Sequence, residues 1–241
     1  MMKEKDFQNR VSELKNQTHF SFADLTEITE ILRGEGGCPW DREQTHESVR
    51  NCMIEEAYEV VEAIDTKNPE LLQEELGDVL FQVTFHTELA KEEGLFTSRE
   101  VLDGICRKMI LRHPHVFGEA ELSSGEEALS QWERIKTAEK KRRTLSSRLR
   151  AVPPMLPALM RAQKIAGKID PIPEAAAKIT SLAKDFSENG SAEALGELLY
   201  FCACVANEKG LNAEEELTKT TEKVIRRVES DEKSQKKQKK S

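Results

Sequence analysis

From about residue 24 onward, apolar residues recur every three or four positions along most of the chain, the spacing of helices with one dry face. The segment LTEITEIL (25–32) predicts a short helix with Asp24 as its N-cap. GEGGCPWD (34–41) interrupts it, because three glycines and a proline force a loop. A helix resumes near 43–48 and runs to about Asp65; its Ile54, Ala57, Val61 and Ile64 fall at spacings of 3, 4 and 3, which predicts one buried stripe. Lys67-Asn68-Pro69 predicts a turn, with Pro69 opening the next helix. That helix spans about 69–93 and stops at Gly94, with Leu72, Leu76, Val79, Leu80 and Val83 on its inner face. A further helix is capped by Ser98 and ends at His113-Pro114, and 123–143 forms another with a heavily charged outer face. The Pro-rich AVPPMLPAL (151–159) marks a domain boundary, and a last helical region runs over about 158–229.

The pattern therefore predicts an all-α helical bundle, organised as a leader (1–19), a first domain (20–150), a second helical domain (151–229) and a basic tail (230–241) without structure. Composition supports the class: aromatic residues make up only 5% of 241, too few for a sandwich or barrel. Five cysteines, an odd number scattered along the chain, read as reduced thiols of a cytoplasmic protein. The charged amino terminus reads as no signal peptide, and no apolar run reaches the roughly 18 residues of a membrane span. A weak internal repeat relates Gly77-Asp78-Val79-Leu80-Phe81 to Gly196-Glu197-Leu198-Leu199-Tyr200, which points to duplication of a helical unit.

Charge then locates the chemistry. The net charge of −8 argues against a broad basic face for nucleic acid, and the KKQKK run in the tail reads as solvated. Residues 55–78 carry nine acids and one base, while the other 35 acids and 35 bases cancel. Glu55, Glu56 and Glu59 lie near one helical face, and Glu75 and Asp78 are i, i+3 on the next helix. A short turn makes the two helices neighbours, so both groups can face one cleft, where a cation would relieve their repulsion. Carboxylates without His or Cys favour Mg²⁺ or Mn²⁺ over zinc. Taken singly, any one of these acids reads as part of a solvated face. Together, with Gly77 lodged inside the helix as a sign of close backbone approach, they read as a site.

E-E-x-x-E followed by E-x-x-D in an LGD context resembles the all-α nucleoside triphosphate pyrophosphohydrolase superfamily. GCPWDREQTH (37–46), LRHPHVFGE (111–119), QWERIK (131–136) and VPPMLPALMRAQKI (152–165) narrow the resemblance to the MazG family. It implies two tandem, diverged MazG-like helical units in a dimer, and hydrolysis of a nucleoside triphosphate to the monophosphate and pyrophosphate, in the service of nucleotide-pool house-cleaning. It also implies Glu56, Glu59, Glu75 and Asp78 as Mg²⁺ ligands, with Mn²⁺ as a possible substitute. Glu55 would orient or deprotonate the attacking water, or help hold a further ion. Lys108 and Arg112 match bases that contact the triphosphate. Trp40 lies in the segment that shapes the nucleotide pocket, where its ring would stack on a base or tie the loop to the core. Alternatives kept open are a dUTP or phosphoribosyl-ATP pyrophosphohydrolase and a non-catalytic nucleotide-binding scaffold.

The second half departs from the full-length pattern. Glu174-Ala175-Ala176-Ala177-Lys178 stands where E-E-x-x-E is expected, and Ala194-Leu195-Gly196-Glu197 where E-x-x-D is expected. Asp170-Pro171-Ile172-Pro173 replaces an aromatic loop, and only the bases Lys223 and Arg227 keep their places. This half is therefore expected to be structural or dimerising, with the chemistry confined to 24–120. The expected partners are nucleoside triphosphates and a second copy of the chain.

Overall fold

The computed structural model describes residues 4–139 and 144–238, and every element among them is a helix. In order these are α1 (Glu4–Asn16), α2 (Phe22–Arg33), α3 (Pro39–Glu43), α4 (His46–Asp65), α5 (Pro69–Glu92), α6 (Ser98–Arg112), α7 (Pro114–Phe117), α8 (Gly125–Glu139), α9 (Leu145–Arg150), α10 (Ala158–Ala166), α11 (Ala175–Asn189), α12 (Ala192–Glu208) and α13 (Ala213–Gln238). The chain divides into two compact units, Met1–Trp132 and Glu133–Ser241.

Reciprocal caps set the starts of α2, α4 and α6, and those of α2 and α6 lie one residue or more before the cap that periodicity predicts. Ser21, not Asp24, caps α2: Asp24 sits at the third helical position, where its carboxylate accepts from the Ser21 amide at 2.6 Å. Thr97, not Ser98, caps α6, with Glu100 reciprocating at 2.8 Å. Thr45 and Ser48 form the same box at the head of α4. Asn68 caps α5, and Pro69 occupies its first position as expected. Each such cap contributes on the order of 1 kcal/mol.

In this unit α4 and α5 form a helical hairpin, α2 packs on α5, α1 and α3 pack on α2, and α6 meets α5 near their connection. The core is small and sits toward the start of α4 and the end of α5, where Val49, Phe85 and Leu89 pack with Cys52 and Phe81. Burying a side chain such as Phe85 or Leu89 contributes about 1.5–3 kcal/mol. Thr29 of α2 and Thr84 of α5 meet at 2.9 Å through their hydroxyls, both fully buried, so the two helices cross at small polar residues that satisfy each other.

The stripe expected to be buried on α4 is not. Ile54, Val61 and Ile64 are 45–55% exposed, and Leu76 and Leu80 of α5 are similarly open. Periodicity identified an apolar face correctly but assigned it to the interior. The interior instead takes Val49 and Ala63 of α4 and the run from Thr84 to Ala90 of α5, except half-buried His86.

The second unit is built on the α11–α12 hairpin, with α10 and α13 against α12. Val152, Ala175, Ala194, Phe201, Ala203 and Cys204 are its buried residues among those described, and the Lys178 ammonium lies 4.8 Å from the centre of the Phe201 ring. Gln163 ties α10 to the start of α13, donating to the Leu211 carbonyl at 2.7 Å and accepting from the Ala213 amide at 2.8 Å. The tail expected to lack structure is helical as far as it is described: α13 continues through Gln238.

Candidate metal centre

Three of the acids singled out by spacing converge. One carboxylate oxygen each from Glu56, Glu75 and Asp78 lies within 4.8 Å of the others, the one such group of three found among the described residues. Glu56 comes from the middle of α4, and the other two from the first half of α5, so the hairpin alone assembles the group. Glu75 is only 8% exposed, Glu56 is half-buried and Asp78 is open to solvent. Glu59, one turn after Glu56, stands outside this closest trio but near enough to act on it. Glu55 points to solvent on the same helix.

The electrostatics are those of a group lacking its counter-charge. Burial, the Glu59 carboxyl beside it and the charges of Asp78 and Glu75 push the Glu56 carboxyl above its ordinary range. Burial, then the charges of Glu59 and Asp78, do the same to Glu75. No ion pair among the described residues joins a Lys or Arg to these acids. A buried carboxylate held among like charges with no paired base fits a hard divalent cation, and an all-oxygen donor set fits Mg²⁺ or Mn²⁺.

The other predicted residues are spread along the first unit. Trp40 sits on the short helix α3 and is 61% exposed. Lys108 is exposed on α6, whereas Arg112, one turn later, is 7% exposed with its guanidinium 5.4 Å from the centre of the Trp132 ring. The close approach expected at Gly77 is not made by any described residue beyond its own helix turn: a Cβ built there has no such neighbour within 4 Å.

Two features escaped the sequence reading. His46, the first residue of α4, bonds His86 of α5 through their Nδ1 atoms at 2.8 Å, the rings stacked 5° from parallel. Burial and the neighbouring His46 hold His86 below the usual histidine range. Arg33, at the end of α2, is 8% exposed and bonded to both Glu92 and the backbone after Trp40. Its signal was faint: it lies four residues after Thr29 and eight after Leu25, on the face that α2 buries.

A bundle of helices whose central hairpin gathers three carboxylates defines an all-α protein with a candidate cation site on that hairpin. Comparison with known proteins makes this specific. Residues 44–117 match the MazG nucleotide pyrophosphohydrolase domain, a span that contains all three converging acids. The chain is 40% identical over 217 residues to the nucleoside triphosphate pyrophosphohydrolase/pyrophosphatase MazG of Thermotoga maritima, covering 86% of this chain and 83% of that protein. It is 36% identical over 219 residues to the nucleoside triphosphate pyrophosphohydrolase of Escherichia coli strain K12, covering 84% and 83%. It is also 46% identical over 147 residues to the protein YabN of Bacillus subtilis, covering 61% of this chain and 30% of that one. The chain belongs to the MazG nucleoside triphosphate pyrophosphohydrolase family.

Proposed function

We propose that the chain is a Mg²⁺-dependent pyrophosphohydrolase that converts a nucleoside triphosphate and water to the monophosphate and pyrophosphate, removing unwanted nucleotides from the cytoplasmic pool. The observation that carries this reading is the convergence of Glu56, Glu75 and Asp78 around buried, unneutralised charge in a chain of this family. Magnesium, held by these three with Glu59, would supply charge neutralisation on the phosphates and acidity to a bound water. The chain's own residues do the rest. Glu55 orients the attacking water or accepts its proton, as a new bond forms from the water oxygen to the α-phosphorus and the bond from that phosphorus to the pyrophosphate oxygen breaks. Lys108 and Arg112 grip phosphate oxygens, and the exposed ring of Trp40 offers a stacking face to the base.

The same reading includes a homodimer. Ile54, Tyr58, Val61, Ile64, Leu76 and Leu80 leave exposed apolar side chains on both helices of the hairpin that carries the acids, a surface suited to a second copy of the chain. The second unit is read as supporting rather than catalytic, since Ala194 fills the buried position that Glu75 holds in the first. All five cysteines are free, in keeping with a reducing compartment, and no helix among the described residues is long and apolar enough to cross a membrane.

The test is a panel of normal and damaged nucleoside triphosphates with Mg²⁺, scoring monophosphate and pyrophosphate separately from phosphate. Glu59→Gln and Asp78→Asn are each expected to remove metal-dependent hydrolysis while far-ultraviolet circular dichroism stays unchanged. Full activity in both variants would refute the site.

A further inference from the structure

The helix that carries Trp40 has little to hold it in place by itself. α3 is five residues long, well short of what is stable alone, and its N-cap Cys38 supplies no side-chain bond. The indole does not tie it down either, because Trp40 is mostly exposed. What fixes α3 comes from the end of α2. The Cys38 amide donates to the Leu32 carbonyl at 2.8 Å, and the Arg33 guanidinium donates from Nη1 to the carbonyls of Asp41 and Gln44, the latter at 3.3 Å.

Arg33 is itself held from three sides. Its Nε and Nη2 donate to the two oxygens of Glu92 at 2.8 and 2.6 Å, a two-pronged pairing that fixes the plane of the guanidinium. Its Cζ lies 5.1 Å from the centre of the Phe85 ring, and Phe85 belongs to the core. The guanidinium thus connects the end of α5 and the core to the backbone of α3, with four of its five N–H groups directed at acceptors. A lysine has the charge but not the planar fork, so it cannot make the Glu92 pair and both carbonyl bonds at once.

We propose that Arg33 is a positioning residue for nucleotide recognition: it holds α3 rigid so that the exposed Trp40 ring is presented, ready oriented, to the base of the nucleoside triphosphate. The inference rests on the pyrophosphohydrolase reading and assigns the base-recognition part of that site. A large apolar ring kept out of the core on a backbone that is locked from below binds a flat ligand with little ordering cost. Arg33 touches neither substrate nor metal in this scheme, so its loss falls on binding rather than on the bond-breaking step.

The experiment compares Arg33→Lys and the milder Glu92→Gln with the unaltered chain, reading hydrogen exchange at amides 38–44 and 56–78 together with kcat and KM for a triphosphate that the chain hydrolyses. The expected result is faster exchange confined to 38–44 and a rise in KM of about tenfold in Arg33→Lys, smaller in Glu92→Gln, with kcat changed less than KM. Unchanged exchange at 38–44 in both variants would overturn the inference. So would a fall in kcat at constant KM, or a looser α3 with unchanged KM, and in either case pyrophosphate release by the unaltered chain would leave the pyrophosphohydrolase reading standing. If the unaltered chain released no pyrophosphate, that reading would fall first, independently of Arg33.

Discussion

Glu75 shows how much a single side chain can report about this molecule. Its carboxyl is buried and its neighbours Glu59 and Asp78 are like-charged, so its folded-state pKa lies above the unfolded value. The stability this group contributes is therefore fully present below the ordinary carboxylate range, and it is lost as pH rises through the raised folded-state value. The metal-free chain is expected to lose thermal stability from acid toward neutral pH because of this group, and Glu75→Gln to lessen the loss. Added Mg²⁺ is expected to raise the melting temperature more at pH 7 than at pH 5, and hardly at all in the variant. Melting curves at both pH values with and without the ion check all three outcomes. The grouping of these acids was open to sequence reading because it depends on local spacing, i and i+3 or i+4, on two helices joined by a short turn. Arg33 and the His46–His86 pair were not, since a lone arginine before a glycine reads as a solvated helix end. Two histidines 40 positions apart carry no joint signal until the hairpin closes.

At the scale of elements, two glycines, Gly37 in the loop after α2 and Gly77 inside α5, have opposite surroundings. A Cβ at Gly37 would lie 2.2 and 2.3 Å from the Ile31 and Leu32 carbonyl oxygens, so the loop after α2 turns back against the helix end with no room to spare. Gly37→Ala is expected to destabilise the chain by about 2 kcal/mol or more, because backbone must shift. Gly77, open on all sides within the helix, is expected to do the reverse: Gly77→Ala adds up to about 1 kcal/mol through helix propensity. Urea unfolding of the two variants gives both signs directly. The helices themselves were readable almost throughout, since periodicity and caps are written within a few residues. Which face of α4 is buried was not, because an apolar stripe at Ile54, Val61 and Ile64 looks the same whether its partner lies in the same chain or another.

For the whole molecule, the exposed stripe makes assembly the natural question. Val61→Asp and Leu76→Glu place a charge on a surface already open in the single chain, so neither disturbs the buried residues. Each is expected to halve the mass seen by sedimentation while leaving helix content unchanged, if the stripe joins two copies. A mass unchanged in both variants would assign the surface some other role.

One property of the loop around Trp40 bears on how such a protein diverges. The holds on it are made to main-chain atoms: Leu32 carbonyl to Cys38 amide, Arg33 to the carbonyls of Asp41 and Gln44, and, besides these, the Gly34 carbonyl to the Gly37 amide at 3.0 Å. Side chains at the outward positions of this stretch can therefore be exchanged over evolutionary time without dismantling the clamp beneath them. A lineage can explore new substrates there while inheriting the same scaffold unchanged.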